Sequence, residues 1–388
     1  MTQLDQALAY LDQCREEMLF LWETLVRMES PSADPEAIDR LASHLDTYCR
    51  ALGMETEKFR PEGAGTCLAA ATPARALPPI LLLGHMDTVH PVGSFPGGSW
   101  RLEGGSVYGP GAHDCKGGLV IALYVIRALQ HAGYDRRQLR LALVSDEETA
   151  HTLSQGQTVD FLRREAQGCG AAFTFESGLP DGSVVTRRKG GGIVQLQVRG
   201  IASHAGTAPE QGASAVLEAA RKIVAIQALS DPAHTTFNCG IIHGGTSANV
   251  VPDRCEVSVA LRFHTNRDRD EALSALQSIC GRVETPGTQC TLSPLAGFPA
   301  MEETDRTAAL FALYRETSTA LGLGTPESVY SAGCSDSAYT TALGIPTLCA
   351  LGVLGEGQHS PHEHALEESL LTQAKRLAAA ILALPDDF

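Results

Sequence analysis

The chain has 388 residues, too long for one ordinary core, so two domains are expected. Forty-five acidic against 30 basic side chains leave a net charge of −15, which argues against nucleic acid or an anionic membrane as partner. An anionic substrate stays open, because local cations can dominate a pocket. Eleven cysteines without a C-x-x-C pair read as reduced core thiols rather than a disulfide framework.

Met1 leads into polar residues with neither a basic start nor a long apolar run, so no secretory signal is visible. No run reaches membrane-spanning length, and a cytoplasmic address is expected. Apolar residues at helical spacing predict one helix over 4–28, stopped by Ser30-Pro31-Ser32. A second helix is expected over 35–52, ended by Gly53, and strands over 55–59 and 66–71. The apolar run 80–83 reads as a buried strand that ends on His85-Met86-Asp87. Side chains two apart on a strand point the same way, so His85 and Asp87 can enter one site. That suits a metal-binding imidazole whose second ring nitrogen is held by a carboxylate. Asp114 follows in a glycine-rich loop that opens a helix over 116–131.

More candidate ligands stand at the ends of other predicted strands. The strand 139–144 runs into Asp146-Glu147-Glu148, and the strand 171–175 into Glu176. Near the C-terminus comes Gly357-Gln358-His359-Ser360. In open α/β sheets, ligands bind at the carboxyl ends of strands. His, Asp, Glu, Glu and His are donors suited to zinc, and a carboxylate shared between two such sets makes a two-metal site. Glu147 and Glu148 can both serve that site only if the chain bends there, because neighbours on an extended strand face opposite ways.

Strand alternating with helix implies a mostly parallel sheet covered by helices on both faces. From about residue 187 the order changes to strand 192–198, helix 213–229, strands 236–242 and 255–263, helix 269–283 and strand 290–295. That βαββαβ order is a ferredoxin-like unit. A helix over 305–321, a strand over 347–351 and a helix over 363–384 resume the first domain. The division expected is therefore 1–186 and 298–388 for one domain and 187–297 for an inserted lid. His362 and His364 are expected at the start of the last helix.

These motifs, in this order and over nearly the whole chain, resemble the co-catalytic zinc exopeptidases and deacylases. That group includes glutamate carboxypeptidase, aminoacylase and succinyl-diaminopimelate desuccinylase. The resemblance implies two divalent metal ions, Zn²⁺ first with Co²⁺ or Mn²⁺ also acceptable to these donors. It implies His85, Asp114 and Glu176 at one metal, Glu148 and His359 at the other, and Asp114 as the bridge. Glu147 would be the general base, and Asp87 would orient His85. In the lid it implies that His204 stabilises an oxyanion, while Asn249 and Arg262 bind a substrate carboxylate. Lys189, Ser335 and Asp336 are further candidates, for the pocket rim. The lid stretches around His204, Asn249 and Arg262 are most similar to the glutamate carboxypeptidase branch, so release of a C-terminal amino acid is expected. An N-acyl-amino-acid deacylase or dipeptidase shares every catalytic residue. A catalytically silent scaffold is the reading from another class. The expected partners are a small peptide or N-acyl amino acid and a second copy of the chain, joined through the lid. Two departures from the pattern stand out: Cys115 where Met is common, and Thr149-Ala150-His151-Thr152 in place of a small Gly-Ser turn.

Overall fold

The computed structural model describes residues 1–388, which divide into two compact units. The first comprises Met1–Arg187, Glu302–Ser331 and Ser335–Phe388; the second comprises Arg188–Met301 with Ala332–Cys334.

The first unit is built on a six-stranded sheet. Its order is Glu55–Phe59, Cys67–Ala71, Arg137–Val144, Leu77–His85, Ala171–Thr174, Thr347–Leu348. The last four strands run parallel, and the first two form an antiparallel margin, so the sheet is mixed. Ile80, Leu82, Leu139, Leu141 and Phe173 share one core with the helices Gln3–Gln13, Arg15–Arg27, Pro35–Ala51, Gly117–His131 and Glu367–Ala383. Leu81, Leu83, Ala142 and Ala172, which alternate with them, are buried too, with Gln157–Ala166 and Ser337–Ala342 packed against these strands. Burial on both faces explains why the central strands read as continuous apolar runs. Each such Leu contributes about 1.5–3 kcal/mol through burial. No helix is long and apolar enough to cross a membrane.

Three expected elements differ. The helix over 4–28 is two helices that meet at Cys14, where φ −90° and ψ 3° turn the axis. Its apolar spacing runs on across the junction because Leu11, Cys14, Met18 and Leu25 enter the same core. The strand at 347 is only Thr347–Leu348, and Ala350 already has a positive φ of 62°. The last helix starts at Glu367 rather than 363, because His364–Leu366 is a strand paired with Ser106–Tyr108. His362 and His364 therefore precede the helix.

The second unit is one antiparallel sheet in the order Thr235–Gly244, Arg254–Phe263, Gly190–Arg199, Gln289–Leu292. With the helices Ala215–Gln227 and Asn266–Gly281 it forms the βαββαβ unit with the ferredoxin-like order 2-3-1-4. Burial alternates along Gly190–Arg199 and Arg254–Phe263, so one face is covered, with Val194, Leu196, Val257, Val259 and Leu276 in its core. The unit runs past residue 297 because Ala296–Phe298 also pairs with Gly190–Arg199 and Met301 bridges to Arg188.

Candidate metal centre

Three parallel strands of the first unit finish along one edge: His85 is level with Val144, and Leu83 with Thr174. The chain leaves those ends carrying His85 and Asp87, then Glu147 and Glu148, then Glu176. A fourth contribution comes from a small sheet in which His364 pairs with Tyr108. That pairing lays the 357–363 loop against the glycine-rich loop before Asp114. Glu363 secures it: its buried carboxylate accepts the backbone N–H groups of Gly111, His113 and Asp114 at 3.2, 2.9 and 3.0 Å. In the sequence, residue 363 read as the start of the last helix.

The donor atoms of His85, Asp114 and Glu176 lie within 4.8 Å of one another, and so do those of Asp114, Glu148 and His359. Asp114 belongs to both groups. His85 Nε2 is 3.1 Å from Asp114 Oδ1, and its Nδ1 is 3.0 Å from the Asp87 carbonyl oxygen and 3.5 Å from Asp87 Oδ1. A cation taking the place of the Nε2 proton would leave the ring's remaining proton on Nδ1, directed at Asp87. His359 Nε2 is 2.9 Å from Glu148 Oε2 and 3.4 Å from Asp114 Oδ2. Its φ of 60° is a left-handed conformation that His adopts more readily than most residues.

Asp87 does more than face His85. Its Oδ1 accepts the N–H of Glu147 at 3.2 Å, and its Oδ2 accepts the N–H of Glu148 at 3.1 Å and the hydroxyl of Ser32 at 2.7 Å. The backbone turns there into a single 3₁₀ turn, Glu147–Thr149, in place of an extended continuation of the strand. Ser32 carried no sequence signal, since Ser30-Pro31-Ser32 read simply as a helix stop; it pairs alongside Thr88. Cys115 grips the same strand end, its sulfur 3.3 Å from the N–H and 3.2 Å from the carbonyl of His85.

Burial lifts the Glu147 carboxyl well above the usual carboxylate range, and the charge of Glu176 adds to the effect. Glu148 is pushed up to about 7 by burial, against the opposing hydrogen bond from His359. Burial also works against charge on Asp114, but hydrogen bonds from His359 and His85 hold its carboxyl well below the usual range. His359 is drawn up to about 10 by its bonds to Asp114 and Glu148. Carboxylates crowded so that some resist ionisation, with only imidazoles to answer them, fit a site for divalent cations.

Ser335 and Asp336, expected at a pocket rim, are instead buried. Ser335 Oγ lies 3.0 Å from Ser337 Oγ, and Asp336 Oδ1 lies 2.6 Å from His151 Nε2. The remaining candidates belong to the second unit. His204 is exposed, and its Nδ1 accepts the N–H groups of Gly206 and Thr207, each at 3.1 Å. The proton of the neutral ring is therefore on Nε2, which is left as a donor. His204 bridges to Val250, next to Asn249, whose Oδ1 is taken by Ser247 so that its amide NH₂ remains to donate. Arg262 is exposed and lies across the strand pair from Gly191. A Cβ there would come within 2.3 Å of Arg262 Nη1, so the glycine makes room for the guanidinium. Lys189 is half-buried between the strands Val184–Arg188 and Gly190–Arg199.

Comparison with known proteins agrees with this geometry. The chain is 27% identical over 369 residues to carboxypeptidase G2 of Pseudomonas sp. (strain RS-16), covering 93% of this chain and 87% of the relative. It is 27% identical over 317 residues to succinyl-diaminopimelate desuccinylase of Xylella fastidiosa (strain 9a5c), covering 76% of this chain and 80% of the relative. Among solved structures, an M20 family metallo-carboxypeptidase from Sulfolobus solfataricus, Sso-CP2, shares the fold. Its TM-score is 0.76 at 17% identity, over 95% of this chain and 99% of that one. The model of peptidase family M20/M25/M40 matches residues 81–383, a span that includes every donor of both groups, and the chain belongs to that family of hydrolases.

Proposed function

We propose that the chain hydrolyses an amide bond to release a C-terminal amino acid, in the manner of a glutamate carboxypeptidase. The observation that carries the reading is the pair of donor groups sharing Asp114, with Glu147 beside them. His85, Asp114 and Glu176 would hold one divalent cation, and Asp114, Glu148 and His359 the other, with Zn²⁺ the first choice for this nitrogen and oxygen set. Such a pair, when bound, supplies Lewis acidity toward a carbonyl oxygen and acidifies water. Asp87 fixes the tautomer of His85 and the turn that presents both glutamates. Glu147 takes a proton from the attacking water and hands it to the leaving amine, a role suited to a carboxyl whose pKa burial has raised. His204 donates from Nε2 to the oxygen on which charge develops. Arg262 holds the substrate carboxylate as a planar fork, with Asn249 and Lys189 in support.

A second copy of the chain is part of the proposal. The edge strand Thr235–Gly244 exposes Ile241 and Ile242, apolar side chains that pairing of two lids would cover. The similarity to a desuccinylase favours N-acyl amino acids as the second class of substrate. A silent scaffold has no use for a complete donor set with a base beside it.

The test is turnover of a panel of dipeptides and N-acyl amino acids with added Zn²⁺ or Co²⁺, each compared with its C-terminally amidated form. Hydrolysis confined to the free acids, with Arg262→Ala costing about 2–5 kcal/mol, is the expected result. Equal rates on free acids and amides would remove the carboxylate requirement, and the order of preference in the panel separates peptidase from deacylase.

A further inference from the structure

The segment after Glu148 is built around a residue that the proposed chemistry leaves unused. His151 is 2% exposed, and both of its ring nitrogens meet carboxylates. Nδ1 lies 3.2 Å from Asp146 Oδ1, and Nε2 lies 2.6 Å from Asp336 Oδ1. Asp146 is fixed in turn, its Oδ2 accepting the Ser154 N–H at 2.9 Å. Ala150 and His151 have successive positive φ values of 52° and 56°. Side chains seldom adopt that conformation, and it persists where the surroundings hold it. The holding groups are visible here: the His151 N–H bonds the Asp146 carbonyl at 3.0 Å while its ring reaches the 335–337 segment.

Resting on the reading of Glu147 as general base, we propose that His151 is a positioning residue of the hydrolytic site. It clamps the turn that bears Glu147 and Glu148 to Asp336 through a carboxylate–imidazolium–carboxylate bridge.

The bridge begins one residue before Glu147 and spans the turn, so motion of the turn must stretch it. It also supplies a fixed cation where Asp146 and Asp336 would otherwise be two buried anions beside an acidic site. The charge of Asp336 reaches Glu147, so the state of the bridge is felt at the base. Burial works against the charged ring, but Asp336 and Asp146 draw it up to about 10, so the bridge is closed at neutral pH. A small Gly-Ser turn at this place could make no such bond.

The test compares His151→Gln and His151→Ala with Glu147→Gln in the metal-loaded protein, measuring kcat, KM, metal content and melting temperature. The expected result is a fall in kcat of tenfold or more with KM within about threefold and metal content unchanged, and partial recovery of His151→Ala on adding imidazole. Should a single variant fail to fold, His151→Gln/Asp336→Asn carries the test, because it leaves no unpaired charge at Asp336; the same fall in kcat is expected. A kcat within threefold of the parent in a folded variant, or a loss confined to KM or to melting temperature, overturns the proposal. An active Glu147→Gln would instead overturn the reading of the base, so the two failures are distinguishable.

Discussion

Glu147 and Glu148 are chain neighbours with different surroundings, and the difference comes from Asp87. By accepting both of their N–H groups, Asp87 turns the backbone so that Glu148 meets His359 while Glu147 stays buried near Glu176. Glu147→Gln is nearly isosteric yet cannot accept a proton. It should keep the metals and lose turnover by at least about a hundredfold; near-normal turnover with metals retained would move the base elsewhere. His151 gives a prediction for stability. Its folded pKa is raised from 6.5 to about 10, so the stabilisation it brings is complete below the unfolded value and is lost as pH climbs through about 10. Asp146, Asp336 and the Tyr339 ring face it. At pH 7, His151→Gln should cost about 3–5 kcal/mol, the scale for a buried pair that loses one partner. Melting curves of parent and variant should converge between pH 7 and 10; parallel curves would show that the ring is not charged.

At the scale of elements, the donors at strand ends were legible because the central strands are buried on both faces and so print an uninterrupted apolar run up to the first ligand. The turn after Glu148, the pairing of His364–Leu366 and the bond network of Glu363 were not legible. They rest on hydrogen bonds between segments as much as 252 residues apart, and periodicity carries no trace of such contacts. The split at Cys14 escaped for a related reason, since both helices feed one core and keep one spacing. The strand expected over 192–198 begins two residues earlier, at Gly190, and Gly190, Gly191 and Gly192 each make way for a neighbour: Phe263, Arg262 or Ala296. Gly191→Ala should therefore cost about 1–3 kcal/mol of overpacking and raise KM for free-acid substrates as Arg262 is displaced. Unchanged KM in a folded variant would detach Arg262 from substrate binding.

At the scale of the molecule, the sequence carried the ferredoxin-like order of the second unit, and the edge strand Thr235–Gly244 is where the proposed second copy would pair. If His204 serves the site of a partner, Glu147→Gln and His204→Ala homodimers should both be nearly inactive, the latter by roughly 3–4 kcal/mol of lost oxyanion stabilisation. Mixed dimers should then recover part of the activity, because one of their two sites combines an intact base with an intact histidine. Subunits that exchange without recovery would confine His204 to its own chain. All of this depends on two cations held by five side chains with Asp114 in common, so the decisive measurement is metal content at saturation alongside hydrolysis. Two ions per chain are predicted, with hydrolysis lost on chelation, restored by Zn²⁺ or Co²⁺, and abolished in Glu148→Ala and His359→Ala. One ion or fewer per chain at saturation, with both of those variants fully active, would contradict the two-metal account.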